Sequence, residues 1–225
     1  MAPAIESYST AAKAGDGGGS TTLTVNKPTG VAEGDLLLAL AASSYSSANK
    51  ATPPGDWVTE AETLAGQPNY QIFVKEAGSE PSSYDFTLTN LWTYCTIVIF
   101  RISGADPSDI LSSMVDDTGG SDNICTCPSV DVPNDGSLLI RAAAGYYTAS
   151  YSLSGYVEEL DSQFGLDRCS QGIYSKAADS GSCGTADIEG LPNWLYKFVG
   201  ATIAIAPAAA AGSPHYYYQQ QAAAL

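Results

Sequence analysis

An all-β fold is what this 225-residue sequence predicts: a jelly-roll-like β-sandwich made of two sequence-related halves, with an extended C-terminal arm. Three observations predict it. Apolar residues recur at period two in short runs, clusters of Gly, Pro, Asn and Asp punctuate those runs, and blocks of the first half return in order after about a hundred residues. Composition agrees, since 22 Gly, 14 Tyr and 12 Pro with only 15% charged residues suit many short strands joined by turns.

Taken along the chain, Leu23 and Val25 alternate with Thr22 and Thr24, the pattern of a half-buried strand. Leu36 to Ala42 is apolar at every position, as expected of a central strand covered on both faces. Pro53-Pro54-Gly55-Asp56 forms a rigid corner that presents Trp57 to the core. Tyr70, Ile72 and Val74 share one face, as do Tyr84, Phe86 and Leu88, and Ile97 to Ile102 reads as another central strand. In the second half, Cys125-Thr126-Cys127 puts two sulfurs on one strand face, and Leu138 to Ala144 is a further central run. Turns are expected at 17–19, 65–68, 78–81, Asp106-Pro107 and Asn134-Asp135-Gly136.

Five blocks align between the halves. The segment from Ile5 to Pro28 lies against Ile110 to Pro133 without a gap, and Asp35 to Leu38 lies against Ser137 to Ile140. Trp57 matches Tyr156, Lys75 matches Lys176, and the run from Leu91 matches the run from Asn193, with Trp92 against Trp194. Order and spacing are kept, which reads as a duplication. The junction Ala105 to Asp109 is too short and turn-like for a flexible linker. A single sandwich over 1–206 is therefore expected, with repeat one at about 1–104, repeat two at about 105–206, both contributing to both sheets, and a tail at 207–225.

The charge balance, 24 acidic against 9 basic residues and a net −15, opposes binding to phosphate backbones, so nucleic acid is not an expected partner. No apolar run approaches the roughly 20 residues of a membrane span, and the N-terminal segment carries no secretory signal pattern, so synthesis in a cytoplasm is expected.

The stretches LTVNKPTGVAEGDLLLALAA from Leu23, TPPGDWV from Thr52 and FVKEAGSEPSSYDFTLT from Phe73 resemble a β-sandwich family found in virion proteins of tailed bacteriophages and in related prophage and bacterial surface modules. The resemblance covers about residues 20–104, and the second half joins it only through the repeat. It implies a structural protein on the outer surface of a virion, made in the host cytoplasm. The first expectation is a capsid decoration or cement protein whose partners are the major capsid protein or its own copies, with a trimer left open. The second is a tail-tip or fibre module that binds a host-surface glycan. Neither places catalytic residues on this sequence, and a fold resemblance carries function only by analogy.

The residues themselves point away from catalysis. The one histidine, His215, sits in the low-complexity tail, so no Ser-His-Asp or Cys-His set is expected on the folded body. Glu158, Glu159 and Asp161, or Asp116 and Asp117, could supply a glycosidase pair, but a solvated acidic edge is the stronger reading. The Asp-rich stretch 116–123 lacks the regular oxygen spacing of a calcium loop. Cys125 and Cys127 would need two further ligands from Cys95, Cys169 or Cys183 to hold zinc, and core positions suit them better. No metal or other cofactor is expected. Cys169 and Cys183 flank a hairpin-like stretch and form the one candidate disulfide.

Two tyrosine groups are candidate contact surfaces. Tyr146, Tyr147 and Tyr151, with Tyr156 nearby, cluster around one expected turn and could stack on sugar rings or form an interface. His215 with Tyr216, Tyr217 and Tyr218 follows an Ala-rich spacer bounded by Pro207 and Pro214, and these residues are expected to dock the tail on a partner chain.

Overall fold

The computed structural model describes residues 1–15, 21–44, 49–64, 68–117, 124–145, 150–162, 169–191 and 197–209, and every regular element among them is a strand. Residues up to Ser103 form β1 (Ala4–Lys13), β2 (Thr22–Asn26), β3 (Leu36–Ser44), β4 (Ala51–Thr52), β5 (Val58–Thr63), β6 (Asn69–Glu76), β7 (Ser83–Leu88) and β8 (Tyr94–Ser103). Then follow β9 (Ala105–Asp117), β10 (Ile124–Cys127), β11 (Asp131–Val132), β12 (Ser137–Gly145), β13 (Ser150–Ser152), β14 (Val157–Ser162), β15 (Ser170–Ala178), β16 (Gly181–Ser182), β17 (Ala186–Leu191) and β18 (Phe198–Pro207).

These strands form antiparallel sheets. The first half makes a five-stranded sheet, β1-β8-β3-β6-β5, and a three-stranded one, β2-β7-β4. The second makes β9-β18-β12-β15-β14 and β10-β17-β13, with β11-β16 as an extra two-stranded ribbon. No described sheet mixes strands of the two halves, which corrects the expectation that both halves contribute to both sheets.

Central strands explain the difference. In β3, Leu36, Leu38, Leu40 and Ala42 face one cluster while Leu37, Ala39 and Ala41 face another. The first cluster lies between the two five-stranded sheets, where Leu138, Ile140, Ala142, Ile203 and Ile205 of the second half meet those residues. The second lies under β2-β7-β4, with Leu23, Val25, Phe86 and Leu88. Both faces of each large sheet are thus covered, and the layers run three-stranded, five-stranded, five-stranded, three-stranded. Apolarity on both faces states that a strand is buried, without saying whether its cover comes from its own half or the other.

The junction is tighter than expected. Ala105 to Asp109 belong to β9, and Gly104 alone separates it from β8, with φ at 67°. A Cβ there would lie 2.8 Å from the Ala2 carbonyl oxygen, so glycine is required both by conformation and by space.

Polar groups bridge the two large sheets. Tyr70 donates to Gln171 Oε1 at 3.1 Å, and Gln171 Nε2 donates to Thr96 Oγ1 at 2.8 Å, all fully buried. Such a network resists sliding of one sheet over the other, because a shift would strand each of these groups without a partner.

At the outer corner of the first half, Lys75 Nζ lies 2.8 Å from Glu80 and 2.9 Å from Asp56, while Tyr84 and the Gly78 N–H also donate to Glu80. Burial works to raise the Glu80 pKa, but these donors outweigh it and hold the carboxyl below its ordinary range. A depressed folded value contributes stability above the unfolded pKa that is lost as pH falls through the folded one. Glu80→Gln should therefore cost about 1.5–3 kcal/mol at neutral pH. It should also flatten the acid limb of a plot of urea midpoint against pH; a limb identical to the parent's would contradict this.

Candidate functional site

β13 stops at Ser152, opposite Glu189 of β17, so the next stretch of β17 has no strand neighbour on that side among the described residues. The chain crosses to β14 through Leu153, Ser154 and Gly155, the last with φ at 79°. A cleft of about 470 Å³ opens there. Ser152, Leu153, Ser154 and Tyr156 line one side, Asp187 and Glu189 of β17 another, and Glu158 of β14 and Tyr174 of β15 the rest.

Similar pairings occur in the first half. Lys75 pairs with Leu37 and Lys176 with Leu139, while Thr59 faces Phe73 and Glu158 faces Tyr174, each immediately before a bulge that skips one residue. Thr24 donates to Asp85 at 2.6 Å across β2 and β7, and Thr126 to Asp187 at 2.7 Å across β10 and β17. By this register, Phe73 corresponds to Tyr174, Phe86 to Ile188 and Tyr84 to Ala186.

The first half fills the matching space with aromatic rings. Trp57 stands edge-on to Tyr84 at 5.3 Å and lies 6.1 Å from Phe86, which is 6.0 Å from Phe73. The second half has smaller residues at two of these positions. Its Tyr156 is drawn aside: Arg141 Nε donates to the hydroxyl at 3.4 Å and Lys176 Nζ sits 4.4 Å from the ring centroid.

Tyr174 is 1% exposed, and its hydroxyl has no hydrogen-bond partner among the described residues. Burial, reinforced by the charges of Asp161 and Glu158, pushes this phenol's pKa up, so it keeps its proton and can donate at neutral pH. Glu158, Asp187 and Glu189 are exposed and take part in no ion pair among the described residues. Nor do these three, or any other His, Cys, Asp or Glu set among the described residues, gather closely enough to hold a metal ion.

The other predicted positions fall as follows. Tyr151 is not at a surface: it is 4% exposed, bonded to Ser170 Oγ at 2.7 Å and packed edge-on to Phe198. Gly172 makes room for it, since a Cβ there would come within 2.5 Å of the Tyr151 ring. Tyr146 and Tyr147 lie outside the described residues, as do His215, Tyr216, Tyr217 and Tyr218, Trp194 and the 118–123 part of the Asp-rich stretch.

Cys169 and Cys183 are both free thiols, which corrects the candidate disulfide. Cys169 sits in the cluster between the two large sheets, whereas Cys183 packs with Val132, Leu139 and Ala204 on the opposite face, so a sheet separates them. Cys125 and Cys127 occupy one buried strand face, and burial pushes the Cys127 and Cys169 thiols up to about 12. The three acids of β14 diverge: Glu158 lines the cleft, Glu159 accepts from Ser175, and Asp161 accepts from the Tyr151 N–H.

Sequence reasoning named Tyr156 and Glu158 but not Tyr174, Asp187 or Glu189. The signal that could have found them is the contrast between Tyr84 and Phe86 and the smaller Ala186 and Ile188 at the matching register. No family model, no curated protein and no solved structure matches the chain.

Proposed function

We propose that the chain is a non-enzymatic structural protein of a tailed-bacteriophage virion, acting on the outside of the head as a decoration or cement protein. The observation that carries this reading is the doubled body. In each half the pairings nest, β1 with β8, β2 with β7 and β3 with β6, then β9 with β18, β10 with β17 and β12 with β15. A long hairpin folded over and rolled into two layers gives this nesting, which supports reading each half as a jelly-roll-like unit. The shared bulge and the repeated Thr–Asp bond favour duplication of one such unit.

Two units joined back to back through their large sheets make a stiff block with two outward small sheets. Such a block suits a particle surface, where modest contacts repeated by symmetry sum to firm attachment. Its partners would be the major capsid protein or its own copies, clasped by the tail of residues 207–225.

Particles purified from a culture that expresses the chain should carry it in on the order of hundreds of copies, as symmetric decoration requires. Deleting residues 207–225 should leave a folded body that no longer joins them. A handful of copies would move the protein to the tail tip or a fibre, and its absence from particles would sink the proposal.

A further inference from the structure

The cleft of the second half is a place where one unit has given up packing that the other retains. Trp57, Tyr84 and Phe86 pack together at the first half's corner, whereas the register-matched positions of the second half hold Tyr156, Ala186 and Ile188, of which Tyr156 lines the cleft. Loss of buried aromatic area costs stability. At the cleft stand a buried phenol hydroxyl without a partner among the described residues and a rim of carboxylates and hydroxyls. A buried polar group left unsatisfied also costs stability, so two unfavourable features coincide at one spot.

We propose that this cleft is a saccharide-binding site. The Tyr174 hydroxyl, at its buried side, donates to a sugar oxygen. Glu158, Asp187 and Glu189 accept from sugar hydroxyls, and Ser152 and Ser154 serve in either role. Leu153 and the side of Tyr156 give apolar contact for the C–H face of a ring. The volume of about 470 Å³ falls within the range of sites for small organic ligands.

The same features disfavour two other occupants. A single metal ion would need its oxygens gathered, and these are spread around a rim. A Lys or Arg side chain from a protein partner could meet the carboxylates, but it only donates and would leave the Tyr174 hydroxyl without an acceptor. A ligand of many weak hydroxyl donors and acceptors matches dispersed carboxylates better than a point charge does. This inference does not depend on where in a particle the protein resides.

Saturation-transfer NMR on the full chain tests it, using glucose, galactose, mannose, N-acetylglucosamine, rhamnose and their common disaccharides as probes, with tri-lysine as the contrasting one. At least one saccharide should show saturable transfer. Tyr174→Phe, which removes only the hydroxyl, should weaken that binding about tenfold, and Glu158→Gln, on an exposed side chain, should weaken it measurably. Thermal melts of both variants establish that they remain folded. Silence from every saccharide, saccharide binding unchanged in both Tyr174→Phe and Glu158→Gln, or saturable binding of tri-lysine alone would each overturn the proposal.

Discussion

Replacing Arg141 with alanine should cost the fold about 3–5 kcal/mol, through the cavity it opens and the acceptors it strands. Arg141 is fully buried and has no carboxylate partner among the described residues. Its charge is met by dipoles instead. Nη1 donates to the Pro128 carbonyl at 2.5 Å and to Thr202, Nη2 donates to the Gly184 carbonyl at 2.6 Å and the Cys183 sulfur at 3.1 Å, and Nε donates to Tyr156. The guanidinium therefore ties three separate segments, around Pro128, Tyr156 and Gly184, to the central strand β12. The corresponding position of β3 is Ala39, so this tie is particular to the second half. Arg141→Lys should be rescued only in part, because one ammonium cannot aim donors in all these directions at once. Urea midpoints measure the loss, and a shift equivalent to less than about 0.5 kcal/mol in the alanine variant would place Arg141 among ordinary surface residues and refute its structural role.

The strands were legible in the sequence because their period is local. β2, β6 and β7 follow the alternation of Leu23 and Val25, of Tyr70 and Ile72, and of Tyr84 and Phe86, and the bounds of β3, β8 and β12 follow their apolar runs. Sheet membership was not legible, because an apolar run does not encode which sheet covers it. Two ungapped blocks also slip. From Leu91 onward, equal numbering sets Phe100 against Thr202, yet Phe100 pairs with Leu38 and its counterpart, paired with Ile140, is Ile203. A shift of one residue reverses the face, and Thr202 points to Arg141 rather than to the core between the large sheets. In the first block, Ile5 and Ile110 do correspond, facing Ile102 and Ile205, but the buried pair matching Leu23 and Val25 is Cys125 and Cys127 rather than Pro128 and Val130.

The candidate site was legible only at Tyr156 and Glu158. Tyrosine clustering in sequence pointed to Tyr151 as a surface residue, but what buries it is Gly172, twenty-one residues on, whose missing side chain leaves the space. The contribution of Tyr174 depends on its neighbours across three strands, and composition does not carry that.

Separating the halves should have the other large effect. Expressed alone, residues 1–104 would present Leu36, Leu38, Leu40, Tyr70, Ile72, Val98, Phe100 and Ile102 on one open sheet face, all of them buried in the whole chain. At about 1.5–3 kcal/mol for each large apolar side chain, losing this cover removes more than about 10 kcal/mol, comparable to the entire stability of an ordinary domain. The same cut strands the Tyr70 hydroxyl and Thr96, whose partner Gln171 lies in the other half. The isolated fragment should therefore self-associate through that face or precipitate, and co-expression with residues 105–225 should recover a soluble one-to-one complex. Sedimentation of the fragment alone and of the co-expressed pair measures both outcomes. A monomeric fragment with a cooperative melt would mean that each pair of sheets is sufficient by itself, and that the contact between the large sheets is an addition to two finished domains rather than the core of one.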